Sequence, residues 1–223
     1  MGIPRVVDLA EVDEAGAGRL LDVMEMLLGI LSMASWPHGP ADAIAVPPGQ
    51  GEEWRLTHAI GLWESGNAAR HLLVANGNPA ERTYVPITPE YLYRLGLRRR
   101  AGVQLQGEPA PNTGLQAAWI ARQVNSLGAT SLLLAVTPYH LPRAYLTVLK
   151  ALSTAGTRIP ILPCPVPVAP EAATPETGVG HHELLPGEAH RILHYAALGW
   201  VATLEEFRDY QDWLWHHCQS EAR

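Results

Sequence analysis

The sequence predicts an α/β fold: a mainly parallel sheet of about five strands with helices on both faces. Three observations lead there. Runs at 42–46, 71–75, 102–106, 131–136 and 159–162 have the length of strands and are too short for buried helices. Segments with helical periodicity separate them, which is the alternation of βαβ units. Most of the runs are apolar at nearly every position, as in strands covered on both faces.

Taken in order, the chain opens on a helix over 19–35. Leu20, Val23, Met24, Leu27, Leu28 and Leu31 recur there at helical spacing, and Trp36-Pro37-His38-Gly39-Pro40 stops it. The strand 42–46 runs straight into Pro47-Pro48-Gly49-Gln50-Gly51. A helix over 52–65 follows, with Trp54, Ile60, Leu62 and Trp63 apolar, and Gly66-Asn67 ends it. The strand 71–75 exits into Asn76-Gly77-Asn78-Pro79. Thr88-Pro89-Glu90 reads as an N-cap with proline in the first turn, opening a short helix to 97. The strand 102–106 exits through 107–113, and Asn112-Thr113 starts a helix to 126. The strand 131–136 ends abruptly at Thr137-Pro138, ahead of a helix over 142–153. After the fifth strand, residues 164–186 are Pro- and Ala-rich without periodicity, a surface loop and candidate lid. Helices over 187–198 and 204–217 close the chain. The expectation is one domain over 1–223: a helical extension at 1–40, a core at 41–163, the loop at 164–186 and closing helices at 187–223.

The 223 residues are 47% hydrophobic and 17% charged, which suits one sizeable core. A net charge of −6 argues against nucleic acid as the main partner, because neutralising phosphates needs a basic face. Arg98-Arg99-Arg100 is the only basic run and reads as a solvated helix end. Cys164 and Cys218 make no disulfide framework. The apolar stretch 20–33 contains Asp22 and Glu25 and falls short of a membrane span. A cytoplasmic protein engaging neither membrane nor nucleic acid is expected. Trp200, Phe207, Tyr210, Trp213 and Trp215 gather near the C-terminus, where they read as core packing or as a homo-oligomer face.

Parallel order brings every strand's carboxyl end to one edge, where open α/β sheets bind ligands. The exit loops there collect Gly49, Gln50 and Gly51; Asn76, Gly77 and Asn78; Glu108, Asn112 and Thr113; and Tyr139, His140 and Arg143. Three of them lead into helix N-termini, whose free N–H groups and dipole favour an anion. Arg143 would add a bidentate charge. A phosphate, carboxylate or nucleotide-like ligand is therefore expected. Plainer readings stand beside each piece. The 47–51 loop lacks the Lys-Ser/Thr of a P-loop and the dinucleotide spacing, and reads equally as a tight turn. Asn112-Thr113 reads as a helix cap, Glu108 as a surface ion-pair partner and His140 as a structural histidine. His190 and His194 have one-turn spacing but no further zinc-site feature, so no metal is expected.

Four stretches, DAIAVPPGQG, Arg55 with Ala59 one turn later, GEPAPNT and VTPYHLPRA, together resemble the YdcF-like bacterial family, which also includes SanA and ElyC. The matched positions are Asp42, Gly49, Gly51, Arg55, Glu108, Asn112, Thr113, His140 and Arg143. Glu188, followed by Tyr195 and Gly199, resembles the family's C-terminal Glu segment. The likeness covers roughly 41–199, and His-x-x-Arg-Ala is its most specific part. The chain departs from the family where a triple-Gly loop is Pro47-Pro48-Gly49, where Ser-Gly-Gly is Ala75-Asn76-Gly77, and where Glu-Asn-Ala is Leu115-Gln116-Ala117. Those changes fall in the expected pocket. The resemblance implies a Rossmann-like three-layer sandwich and, for part of the family, binding of S-adenosylmethionine. It implies no settled reaction.

The leading expectation is an enzyme acting on a small metabolite at the strand edge. His140 would be the acid/base, with Glu108 or Arg143 setting its pKa. Arg143 and the Asn112-Thr113 helix start would hold an anionic group. Asp42 and Glu108 would accept hydrogen bonds from hydroxyls or an amine, and Arg55 would face Asp42 or the ligand. Gly49, Gln50, Gly51, Asn76, Gly77, Tyr139 and Glu188 would complete the site. Two other readings stay open: a non-catalytic sensor or scaffold that binds the cofactor, and a cofactor-independent hydrolase or group transferase on a phosphate- or amide-bearing metabolite.

Overall fold

The computed structural model describes residues 14–33, 41–66, 69–169 and 171–221. Five strands, β1 (Ala43–Val46), β2 (His71–Val74), β3 (Val103–Leu105), β4 (Leu132–Val136) and β5 (Ile161–Pro165), pair in parallel in the order β3-β2-β1-β4-β5. Chain progression reverses between β1 and β4, which lie side by side with Ala43 opposite Leu132. Their exits diverge, and a crevice opens at their carboxyl ends.

The helices are α1 (Glu14–Met33), α2 (Glu53–Glu64), α3 (Pro89–Arg94), α4 (Thr113–Leu127), α5 (Leu141–Thr154), α6 (His181–Ala197) and α7 (Leu204–Glu221). Successive β1 residues point to opposite faces, and both faces are covered. Ile44 and Val46 join Leu72 and Val74 under Leu56, Ile60 and Trp63 of α2 and Leu92 of α3. Ala43 and Ala45 join Leu73 and Leu132 under α1, α4, α5, α6 and α7. This is why the strands read as continuous apolar runs. Leu72, Leu73 and Leu132 are wholly buried, and each contributes about 1.5–3 kcal/mol. The chain is a Rossmann-like three-layer α/β sandwich.

The caps behave as the residues predict. The Thr88 hydroxyl accepts the Tyr91 N–H with Pro89 in the first turn of α3, and Asn112 accepts the Leu115 N–H of α4 at 3.0 Å. The basic run 98–100 is exposed, as a solvated run is, and two of its guanidiniums rest on aromatic rings. The Arg99 guanidinium lies 3.4 Å from the Trp63 ring centroid, and Arg98 lies 4.1 Å from that of Tyr93.

Several boundaries differ from expectation: α1 begins at Glu14 rather than 19, α3 ends at Arg94 rather than 97 and α7 runs to Glu221 rather than 217. β5 extends to Pro165, and α6 begins at His181 rather than 187, so the loop is confined to 166–180. Pro186 lies inside α6, where its missing N–H removes one intrahelical bond and hides the helix from a periodicity reading. The start is fixed instead by Glu183, which accepts the Gly180 N–H at 3.0 Å.

Phe207 and Tyr210 of α7 are buried against Tyr145, while Trp200 and Trp215 are exposed. Among the described residues, no helix is long and apolar enough to cross a membrane. The predicted helix end at 34–35, the stop at 36–40, Asn67 and the side chain of Cys218 lie outside the described residues.

Candidate functional site

The exits of β1, β2, β3 and β4, together with the 166–180 loop and α6, enclose a crevice of about 410 Å³. One wall is built around Glu188. The Thr137 carbonyl accepts the N–H groups of His140 and Leu141, which turns the chain from β4 into α5. His140 is buried, with Nδ1 3.0 Å from Glu188 Oε2 and 3.1 Å from Arg143 Nη2. Arg143 donates from Nε to Glu188 Oε2 at 2.5 Å, from Nη2 to Oε1 at 3.2 Å and from Nη1 to Thr113 Oγ1 at 3.1 Å. Arg191, one turn along α6, donates to Glu188 Oε1 at 2.9 Å.

Burial alone would raise the Glu188 pKa, but the charges of Arg143 and His140 and their hydrogen bonds hold it far below the usual carboxylate range. His140 is pushed down to about 4, first by burial and then by the Arg143 charge, against the pull of Glu188. The imidazole is therefore neutral at pH 7. A carboxylate only accepts, so we assign the proton to Nδ1, donated to Glu188. Arg143 Nη2 has Glu188 as its acceptor and approaches Nδ1 without needing it. Nε2 keeps its lone pair, has no partner among the described residues, and belongs to a side chain that lines the crevice.

A second buried cluster forms the floor. Arg55 donates to the Glu52 carboxylate, to Tyr139 Oη at 3.2 Å and to the Pro47 carbonyl at 3.3 Å. Tyr139 donates in turn to Glu52 Oε2 at 3.1 Å, and burial pushes its phenol well above the ordinary value. His181, the first residue of α6, packs its ring tilted against Tyr139, centroids 4.9 Å apart, and sets Nε2 3.3 Å from Glu52 Oε1, out of line for a hydrogen bond. Of the two partners expected for Arg55, Asp42 is not met: the guanidinium faces Glu52 and Tyr139, and the residue lines the crevice where a ligand would lie.

The loops are held by each other. Gln50 adopts φ +58°, the left-handed region, and its N–H donates to Glu81 Oε2 at 2.8 Å. Gly51 has φ +71°, and a Cβ there would stand 2.8 Å from Thr83 Cβ and 3.0 Å from Pro175 Cβ, so only glycine fits. The Glu176 carboxylate accepts the N–H groups of Arg82 and Thr83 and the Thr83 hydroxyl, which latches the 166–180 loop onto the β2 exit. Gln116 Nε2 donates to the Pro48 and Asn76 carbonyls at 2.9 and 2.8 Å, tying the β1 and β2 exits together.

Gly49, Gln50, Arg55, Asn112, Thr113, Tyr139, His140, Arg143 and Glu188 therefore share one crevice. Gly51 supports it from behind. Asn76 spends its side chain on the Gln106 carbonyl and the Gly77 N–H, so Asn76 and Gly77 shape the loop while Asn78 lines the space. Two residues expected in the crevice lie outside it. Asp42 precedes β1 and lies at the opposite edge of the sheet, where it accepts from Arg70 Nη2 at 2.8 Å and from the Thr130 N–H at 2.8 Å. Glu108 is exposed on the β3 exit and does not line the crevice. Glu188, not Glu108, is the carboxylate beside His140. The anion-holding role also changes: Arg55 is paired with Glu52, and Arg143 and Arg191 are paired with Glu188.

Glu52, Glu81, His181 and Arg191 were not anticipated, whereas Gln116 lines the crevice as its place among the pocket departures implies. Glu81 had a signal, as the only acid in the segment between 75 and 89. Glu52 had none, because it looks like an ordinary helix-start residue, and His181 had none, because it falls in the stretch that reads as a loop. The His190 and His194 rings lie parallel, 6.3 Å apart and exposed on α6. No group of three or more metal-ligating side chains occurs among the described residues.

No protein-family model and no curated protein matches this chain. Among solved structures, the Bordetella bronchiseptica enzyme WbmG in complex with NAD is similar at a TM-score of 0.34 and 17% identity, over 71% of this chain and 51% of that one. The chain spans about half the length of that enzyme. A likeness at this level carries no information on ligand or chemistry.

Proposed function

We propose that this chain is a YdcF-like small-molecule enzyme whose crevice binds a nucleotide-like ligand of the adenosyl type, S-adenosylmethionine first among them. His140 would serve as the proton acceptor. One observation carries the catalytic part: Glu188 holds Nδ1–H of a neutral, buried imidazole and leaves Nε2 open on the crevice wall. Glu188 then stabilises the imidazolium that forms when Nε2 takes a proton. The Asn112-capped start of α4 and Thr113, itself held by Arg143, supply polar groups beside it. Cysteines without a disulfide framework suit a reducing cytoplasm.

The adenosyl part rests on the resemblance and on charge. With all three crevice arginines already paired, a zwitterionic ligand suits the wall better than a polyphosphate. The second reading, a non-catalytic cofactor-binding sensor, is favoured by one fact: a histidine held near 4 is a weak base.

The test is a thermal-shift screen against S-adenosylmethionine, S-adenosylhomocysteine, nucleotides and inorganic phosphate, in wild type and His140→Gln. A ligand at 100 times Kd adds about 2.7 kcal/mol, a rise of several degrees for this size. An enzyme keeps binding in His140→Gln while losing turnover by about 10²–10⁴. A sensor shows binding in both and turnover in neither. No shift with either adenosyl compound defeats the ligand assignment.

A further inference from the structure

We infer that the crevice takes a ligand with a cationic centre and that Glu81 is the side chain that receives it. Glu81 is assigned on top of the adenosyl-type reading, which supplies the probe ligands.

The charges lining the crevice do not cancel evenly. Its three guanidiniums, Arg55, Arg143 and Arg191, are each ion-paired within the protein. Its carboxylates are not treated alike. Glu188 faces Arg143 and Arg191, and Glu176 accepts the Arg82 and Thr83 N–H groups and the Thr83 hydroxyl. Glu183 is exposed and caps its own helix through the Gly180 N–H. Glu81 is half-buried and has a single donor, the Gln50 N–H on Oε2. It makes no ion pair among the described residues, and Oε1 is left for a ligand.

Burial raises the Glu81 pKa, and the neighbouring charges of Glu176 and Glu52 push the same way, against the Gln50 N–H and the charge of Arg55. A partly desolvated carboxylate in that position gains most from an incoming positive charge. The position is built rather than incidental. Gln50 is the one non-glycine residue with positive φ among those described, a conformation that L-residues other than glycine adopt only at a cost. The residue in that strained conformation supplies the N–H that fixes Glu81.

A second observation points independently to a ligand in the same space. The His140 side chain is only 8% exposed, yet its Nε2 is unpartnered and the residue lines the crevice. Both groups are oriented through one atom and open at the other: His140 held at Nδ1, Glu81 at Oε2. The fitting ligand class is a sulfonium or ammonium compound that also brings a hydrogen-bond donor to Nε2. A polyphosphate would set negative charge beside Glu81 with no spare arginine to offset it.

The experiment is calorimetric titration of wild type and Glu81→Gln with S-adenosylmethionine, a sulfonium, and S-adenosylhomocysteine, its neutral thioether. Wild type is expected to prefer the sulfonium by about tenfold, the worth of one close charge contact at a partly exposed site. Glu81→Gln keeps an acceptor for Gln50 and should bind the two within about threefold, with the thioether affinity unchanged. If that variant melts early, Glu81→Asp, which keeps the charge, is expected to retain the preference. In wild type, the preference should also shrink as pH falls and Glu81 is protonated. Equal binding of the two by wild type, or a preference that survives Glu81→Gln, overturns the Glu81 assignment and leaves the adenosyl reading standing. Failure of both compounds to bind removes the adenosyl reading and Glu81's role with it.

Discussion

Glu188 Oε2 lies 3.0 Å from His140 Nδ1, and this contact decides which imidazole nitrogen meets the crevice. The two residues come from opposite ends of the architecture, His140 from the turn after β4 and Glu188 from the middle of α6. Arg143 makes the arrangement rigid by bonding the same carboxylate and reaching on to Thr113 at the start of α4. One buried carboxylate thus orients the His140 imidazole and docks α6 against α5.

Glu188→Gln leaves Arg143 and Arg191 without their anion in a site where Glu188 is only 6% exposed. Removing one partner of a buried pair costs about 3–5 kcal/mol, so the melting temperature should fall by roughly 6–20 °C. Imidazole ¹⁵N spectra should show His140 losing its fixed Nδ1–H tautomer. A variant that melts like wild type would show that Glu188 does not dock α6.

His140 makes stability depend on pH in a definite direction. Its pKa is lowered from 6.5 to about 4 on folding, so the unfolded chain takes up the proton first as pH falls. The stabilisation is full above about 6.5 and is lost as pH descends through about 4. Glu188, also held low, adds its own loss at more acidic pH. Melting temperatures recorded from pH 7.5 to 4 should decline in wild type and decline less in His140→Gln. Parallel curves would mean that another group carries the dependence.

Asp42 and Glu108 offer a paired control. Asp42→Asn weakens the bonds from Arg70 and Thr130 that tie the amino ends of β1, β2 and β4, and should cost about 1–2 kcal/mol in urea unfolding. Glu108→Ala, at an exposed position, should stay within about 0.5 kcal/mol. If S-adenosylmethionine binds as proposed, neither substitution should change the thermal shift it gives. A lost shift in Glu108→Ala would restore Glu108 to the site.

The strands were legible because parallel pairing buries both faces, and DAIAV, HLLVA and SLLLAV show it directly. The crevice was legible where topology alone decides the outcome: His140, Arg143, Asn112 and Thr113 follow strands and had to meet. Asp42 precedes a strand, and the same rule sends it to the far edge. Glu108 follows a strand, but its loop turns outward. What sequence could not show was pairing. Arg55 and Arg143 look like free cations on paper, and only three-dimensional contact reveals Glu52 and Glu188 beneath them. The helix start at His181 stayed hidden because Pro186 breaks the periodicity by which helices are recognised.

Long connections between strands and helices are ordinarily where related chains gain and lose residues. The latch of Glu176 on Arg82 and Thr83, with the Glu176 N–H given to Gln50, divides this one unequally. Upstream of it, none of the described residues 167–169 and 171–172 lines the crevice, so a change of length there should leave the lining in place. Downstream, the short turn through Gly178 must deliver His181 to Glu52 and Glu188 to His140, so a single inserted residue would put α6 out of phase. Drift in length is tolerated on one side of Glu176 and barred on the other.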